Sequence, residues 1–253
     1  MKIAVCVKQI PDPATPYELD PTTHFVVRPN DQVLDDTDRY GIEVGLQLAA
    51  AAGDATVTVF SMSPSGSLQG IRQALAMGAD KAVVVDDAGL RGADSLTTAR
   101  ILAAAISREG FDVVIAGTES TDGYSGVVPQ QIAELLDAPS LTFARKIDPI
   151  DDGIRIERQT SNGYDAVEAQ LPVVLSVTSG AVEPRYPTFK GIMQAKSKAV
   201  DTHTAAALDV DVASHQEIQA VEPVPARQGG VIVTDEGDGF ERIVEALEQA
   251  KVI

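Results

Sequence analysis

The sequence predicts an α/β protein: an open, mostly parallel, twisted sheet with a small antiparallel hairpin extension and a C-terminal arm. Three observations carry this. Short β-branched runs alternate with longer amphipathic stretches as far as Leu136. The connections are long enough for helical crossovers, which need about a dozen residues and are nearly always right-handed. After Phe143 the rhythm changes to brief runs of alternating polarity separated by glycine-containing turns, the pattern of hairpins.

Taken in order, Lys2 to Val7 (KIAVCV) reads as the first strand, and prolines at 11, 13 and 16 forbid a helix directly after it. A long loop leads to Asp35, Asp36 and Asp38, which precede a helix to about Ala52 with Ile42, Leu46 and Ala49 inward. Acidic residues are favoured at the positive end of a helix, so these three are expected to cap it. Thr56 to Ser61 is the second strand, Met62 to Gly66 a turn, and a helix from about Ser67 ends at Gly78. Lys81 to Asp86 is the third strand, and Asp94 to Ser107 a helix with Leu96, Ala99, Leu102, Ala103 and Ile106 on one face. Asp112 to Gly117 (DVVIAG) has the continuous apolar character of a strand buried on both faces. Val128, Ile132, Leu135 and Leu136 then define the face of a covering helix.

Phe143 to Ile147, Ile154 to Gln159 and Tyr164 to Ala169 form the antiparallel extension, with turns at Asp151-Asp152-Gly153 and Ser161-Asn162-Gly163. Pro172 to Val177 returns to the sheet as a central strand. Residues 1–198 are thus expected to form one domain. Residues 199–253 read as an extended connector, a strand-like Val231-Ile232-Val233, and a last helix aligned on Phe240, Ile243, Val244 and Leu247 with Asp238 as its cap. That last part is expected to pack on a partner.

Composition narrows the function. A chain of 253 residues with a formal charge of −17 repels a phosphate backbone from most of its surface, which sets nucleic acid aside. No stretch approaches the roughly 20 apolar residues of a membrane span. Met1-Lys2 runs directly into strand-like sequence without a signal-peptide pattern, and the single cysteine, Cys6, fits a reducing compartment, so a cytoplasmic location is expected. The Asp-Asp-Thr-Asp cluster lacks the spaced ligands of a calcium loop. His24, His203 and His215 fall in expected loops without clustered acids, and no Walker lysine is present.

The chemistry converges on the loop after DVVIAG. Thr118, Glu119, Ser120, Thr121, Asp122, Gly123 and Ser125 offer short polar side chains and glycines that admit close backbone approach. Such a loop lies at the carboxyl edge of an open α/β sheet, where ligands bind and a helix N-terminus can receive phosphate. A second region, Ser179 to Lys198, gathers Arg185, Lys190, Lys196 and Lys198 around Tyr186, Phe189, Ile192 and Met193, with Pro184 and Pro187 stiffening its start. Arg, aromatic and Met side chains shown together on a stiff loop suit a protein-docking surface.

Four segments, KIAVCVKQIPD at the start, GIRQALAMGAD at 70–80, AGTESTDG at 116–123 and EPRYPTFKGIMQAK at 183–196, together resemble the beta subunit of electron-transfer flavoprotein over essentially the whole chain. The last segment is the most specific. The resemblance implies an adenine-nucleotide-binding, Rossmann-like fold and a non-enzymatic electron carrier that works as a heterodimer with an alpha subunit holding most of a redox-active FAD. It implies acceptance of electrons from flavin dehydrogenases such as acyl-CoA dehydrogenases, and delivery to a quinone oxidoreductase of the respiratory chain. By position, a structural AMP would lie against Cys6; Asp35, Asp36, Thr37 and Asp38; Val59, Phe60, Ser61 and Met62; and Gly117, Thr118, Glu119, Ser120, Thr121, Asp122, Gly123, Tyr124, Ser125, Gly126, Val127 and Val128. Backbone amides from Gly123 to Val127 would bind its phosphate. Electron-bifurcating relatives place a second FAD there instead. Glu183, Pro184, Arg185, Tyr186, Phe189, Ile192, Met193 and Lys196 match the family's recognition loop, with Phe189 as the apolar anchor. Val182 departs from the asparagine common before Glu-Pro-Arg. A stand-alone adenine-nucleotide sensor of the same fold remains the alternative of a different class.

Overall fold

The computed structural model describes every residue except 65, 223, 226–228, 231 and 235, and it separates into two compact units, Met1–Ile218 and Gln219–Ile253. The first unit is a nine-stranded sheet covered by helices on both faces. Its strands are β1 (Lys2–Cys6), β4 (Thr56–Met62), β5 (Lys81–Val85), β6 (Val113–Gly117), β7 (Ser140–Ile150), β8 (Gly153–Thr160), β9 (Gly163–Gln170), β10 (Val173–Val177) and β11 (Val200–His203). A two-stranded sheet joins β2 (Gln9–Ile10) to β3 (Val33–Leu34). The large sheet runs β11-β5-β4-β1-β6-β10-β7-β8-β9, parallel throughout except where β8 and β9 form the antiparallel extension.

Helices α1 (Asp38–Ala52) and α2 (Gln69–Met77) cover one face; α3 (Ser95–Glu109) and α4 (Val128–Leu135) cover the other. β1 and β6 alternate between the two cores, Ile3 and Val5 turning to the first and Ala4 and Cys6 to the second, so the central strands are apolar on both sides. Gly45 lets α1 lie against β1, since a Cβ there would meet Val5 at 3.0 Å. Leu135, expected inward, is 44% exposed: α4 ends there, and Leu136 at the C-cap packs half-buried against the core.

The chain after Lys198 departs from the expected connector. β11 pairs with β5 from Val200 to His203, and Ala205 and Leu208 pack on the α3/α4 face. Asp94, which caps α3 through the Thr97 amide, also accepts from the His215 amide at 2.7 Å. These ties place the unit boundary at Ile218 instead of Lys198. His203 accordingly ends a strand.

In the second unit, α6 (Gly239–Gln249) carries Phe240, Ile243, Val244 and Leu247, all exposed within that unit. Asp238 stands at its N-cap, but its side chain accepts from Arg242 Nε at 3.0 Å in place of a backbone amide. Of the expected strand-like run at 231–233, Val231 lies outside the described residues, and Ile232 and Val233 form no strand. Ser65 of the expected turn and Asp235 before α6 also lie outside them. Among the described residues no helix is long and apolar enough to cross a membrane.

Candidate functional site

The carboxyl ends of β1, β4, β6 and β10 lie side by side, and the loop from Thr118 to Val127 crosses in front of them. Asp35 and Asp122 fasten it, and Asp38 holds the chain just beyond β1. Asp35 accepts the Thr121 amide and hydroxyl, both at 2.6 Å, and also the Thr37 hydroxyl at 2.9 Å. Asp38 accepts the Lys8 amide at 2.6 Å, just beyond β1. Asp122, its side chain 1% exposed, pairs with Lys8 Nζ at 2.7 Å and with Arg28. The expected capping role of Asp35 and Asp38 is therefore replaced by a stitching role. Thr37 occupies the N-cap of α1 without a side-chain cap, while Asp36 pairs with Arg39 at the surface.

The electrostatics of these acids divide. Burial opposes ionisation of Asp122, but Lys8 and Arg28 outweigh it and hold the carboxyl below the usual range. Burial, reinforced by Asp35, pushes Asp38 well above that range. Burial likewise raises the Cys6 thiol to about 12, which leaves it a core residue with no nucleophilic character at neutral pH.

At the start of α4 the backbone is open. Val127 is the N-cap, with no side-chain cap, and Gly126 before it has φ of 64°. The amides of Gly123 and Tyr124, expected to face a ligand, are taken up by the Ser120 carbonyl in a local turn. Those of Ser125, Gly126, Val127 and Val128 meet no acceptor among the described residues. In the first turn of the same helix the side-chain carbonyls of Gln130 and Gln131 are buried without partners. Unpaired amides at a helix N-terminus are suited to an anion, and orphaned buried acceptors to a donor from a ligand.

A cavity of about 550 Å³ opens along the same loop, lined by Thr37, Thr118, Glu119, Ser120, Thr121 and Tyr124 from the expected set. The other wall is Phe143, Gln159, Thr160, Ser161, Val177, Thr178 and Ser179, which the sequence did not single out. Their one signal was position: all but Phe143, which lies inside β7, stand at or just beyond the end of β8 or β10. Tyr124 and Phe143 both hold left-handed backbone, with φ of 47° and 56°, an uncommon conformation for aromatic residues that clusters at functional sites. Cys6, Val59, Phe60 and Ser61 do not line this cavity; they are buried within β1 and β4. Met62 and Gly117 end β4 and β6 without lining it either, and a Cβ on Gly117 would meet Asp38 at 3.0 Å.

The second predicted surface stands apart. Arg185 grips Glu43 of α1 through Nε at 2.6 Å and Nη2 at 2.9 Å, and Glu43 is only 5% exposed. Thr188 caps the short helix α5 (Phe189–Ala195) by accepting the Gly191 amide. From this base Tyr186 and Phe189 project, 81% and 82% exposed, with Ile192 and Met193 beside them; Glu183 and Lys196 are exposed and Pro184 half-buried.

Comparison with known proteins gives this arrangement a family. The model of the electron transfer flavoprotein domain matches residues 23–208. The electron transfer flavoprotein subunit beta of Mycobacterium tuberculosis is 41% identical over 263 residues, covering 99% of each chain. That of Megasphaera elsdenii is 35% identical, covering 100% of this chain and 98% of its own. Subunit CarD of the caffeyl-CoA reductase-Etf complex of Acetobacterium woodii is 32% identical, covering 92% of each. With the domain matched through most of the sheet and relatives aligned end to end, the chain belongs to the electron transfer flavoprotein family, on its beta-subunit side.

Proposed function

We propose that this chain is the beta subunit of a heterodimeric electron carrier, which docks flavin dehydrogenases through Tyr186, Phe189, Ile192 and Met193 and holds one AMP at the start of α4. The observation that carries the docking reading is the exposure of Phe189 and Tyr186 on a base fixed by the Arg185–Glu43 pair. Large apolar side chains in water on a rigid base are the anatomy of an interface anchor. Phe189 enters an apolar pocket on the dehydrogenase, and Lys190 and Lys196 favour an acidic rim around it.

The open amides at Ser125 to Val128 fit a phosphate without a basic side chain. The nucleotide serves as structure, tying the β6–α4 loop to the sheet edge. FAD, held mostly by the alpha subunit, supplies the reversible redox chemistry when bound. Toward it this chain contributes the dehydrogenase landing site, and electrons accepted by the bound flavin would go on to a quinone oxidoreductase.

Co-expression with the alpha subunit tests the reading. Flavin colour should appear in the co-purified complex, and reduction of that flavin by an acyl-CoA dehydrogenase should slow at least tenfold in Phe189→Ala, the loss typical of an interface anchor. Unchanged reduction rates with every donor would refute the docking role. A stable homodimer that binds ATP with no alpha partner would refute the carrier reading itself.

A further inference from the structure

The docking helix α5 has seven residues and buries only Ala195. An isolated helix that short is not stable in water, and its apolar side chains face solvent, so burial does not hold it either. What holds it is a crossed pair of basic side chains. Arg72, in the middle of α2, donates Nη1 to the carbonyls of Ala195 at 2.6 Å and Lys198 at 2.8 Å, at the end of α5. Lys198 donates Nζ in return to the carbonyls of Leu75 at 3.0 Å and Ala79 at 2.5 Å, at the end of α2. The last carbonyls of a helix lack partners and gather negative partial charge, so a cation meets both needs. Neither helix has a basic residue in its own last turn.

The contact between the helices is tight. A Cβ on Gly191 would lie 2.5 Å from the Ala76 carbonyl oxygen, so α5 rests on α2 with nothing between. Directly after Lys198 the chain joins the sheet, the Ala82 amide donating to the Ala199 carbonyl at 3.0 Å. The segment is therefore pinned at its start by Arg185–Glu43, at its middle by Gly191 and at its end by the crossed caps.

We infer that Arg72 and Lys198 are positioning residues for dehydrogenase docking: each caps the other's helix, so that Phe189 and Met193 are presented in their bound arrangement before a partner arrives. Pre-ordering removes the entropy cost of fixing a loop on association. The inference rests on the docking reading above, and its failure can be told from failure of that reading.

The test uses the alpha–beta complex with a donor dehydrogenase and the variants Arg72→Met, Arg72→Lys and Phe189→Ala. Arg72→Met should speed amide exchange at 190–195 about tenfold and raise KM for the donor about tenfold with kcat unchanged, as expected for two lost charge-assisted bonds that do not touch the flavin. Arg72→Lys, which keeps a cation at the carbonyls, should recover most of both effects. Unchanged exchange at 190–195 in Arg72→Met would overturn the clamp. Faster exchange with unchanged KM, while Phe189→Ala raises KM, would make Arg72 merely structural and overturn the positioning role. An unchanged KM in Phe189→Ala would instead remove the docking reading, and this inference with it.

Discussion

Replacing Asp122 by Asn keeps the shape of a buried side chain and deletes the charge that Lys8 and Arg28 share. Breaking a buried ion pair by neutralising one partner costs about 3–5 kcal/mol when both partners are buried. Here the carboxylate is 1% exposed but Lys8 is 40% and Arg28 22% exposed, so both cations regain water and the cost falls to about 2–3 kcal/mol. With a urea slope of about 2–3 kcal/mol per molar, the unfolding midpoint should drop by about 1 M at pH 7. The pH dependence has a definite sign. A carboxyl held below its unfolded value stabilises the fold above that value, about 3.9, and the contribution disappears as pH falls through the folded one. The gap between parent and Asp122→Asn should therefore be full at pH 7 and narrow below about pH 4. Urea titrations followed by far-UV circular dichroism at several pH values measure it. A midpoint unchanged at pH 7, or a gap that widens in acid, would refute the stitching role.

Asp38 should respond in the opposite direction: its carboxyl is pushed up by burial and Asp35, so its ionisation opposes folding as pH rises, and Asp38→Asn should raise the unfolding midpoint at pH 8 in the same titrations, with no gain in acid. Gly70→Ala should lose about 1–3 kcal/mol, because the new Cβ would sit 2.8 Å from the Leu34 backbone nitrogen, and calorimetry of the complex would show the lower Tm. Phe189→Ala should leave Tm within about 1 °C, since the ring is in water, while slowing flavin reduction by the donor. Gly126→Ala strains the alanine in the left-handed backbone that Gly126 already holds at the open amides, and retention of AMP through gel filtration should fall about tenfold.

Much of this architecture was legible because its signals are local. Val113 to Gly117 is apolar without interruption, and a strand between two helix layers needs that pattern. The turns at 151–153 and 161–163 announce the hairpins through Gly and Asn. What escaped reading depends on partners distant in the chain. β11 is short, polar and paired on one side only, so nothing in Val200 to His203 marks it except the neighbouring edge of β5. The acids at 35–38 resemble a helix cap in sequence, yet the donors they meet are Lys8 and Thr121. The second wall of the cavity comes from Phe143 and the ends of β8 and β10, assembled only when the sheet forms. The exposed surface at 185–196 was legible from composition, because aromatic, Met and basic residues concentrate there in an acidic chain; its crossed capping by Arg72 and Lys198 was not.

The most direct measurement is the nucleotide content of the alpha–beta complex, released by heat and identified by mass. One FAD and one AMP per complex is the expected result. Two FAD, or no adenylate at the sheet edge, would contradict the assignment of the open α4 amides to a single structural phosphate.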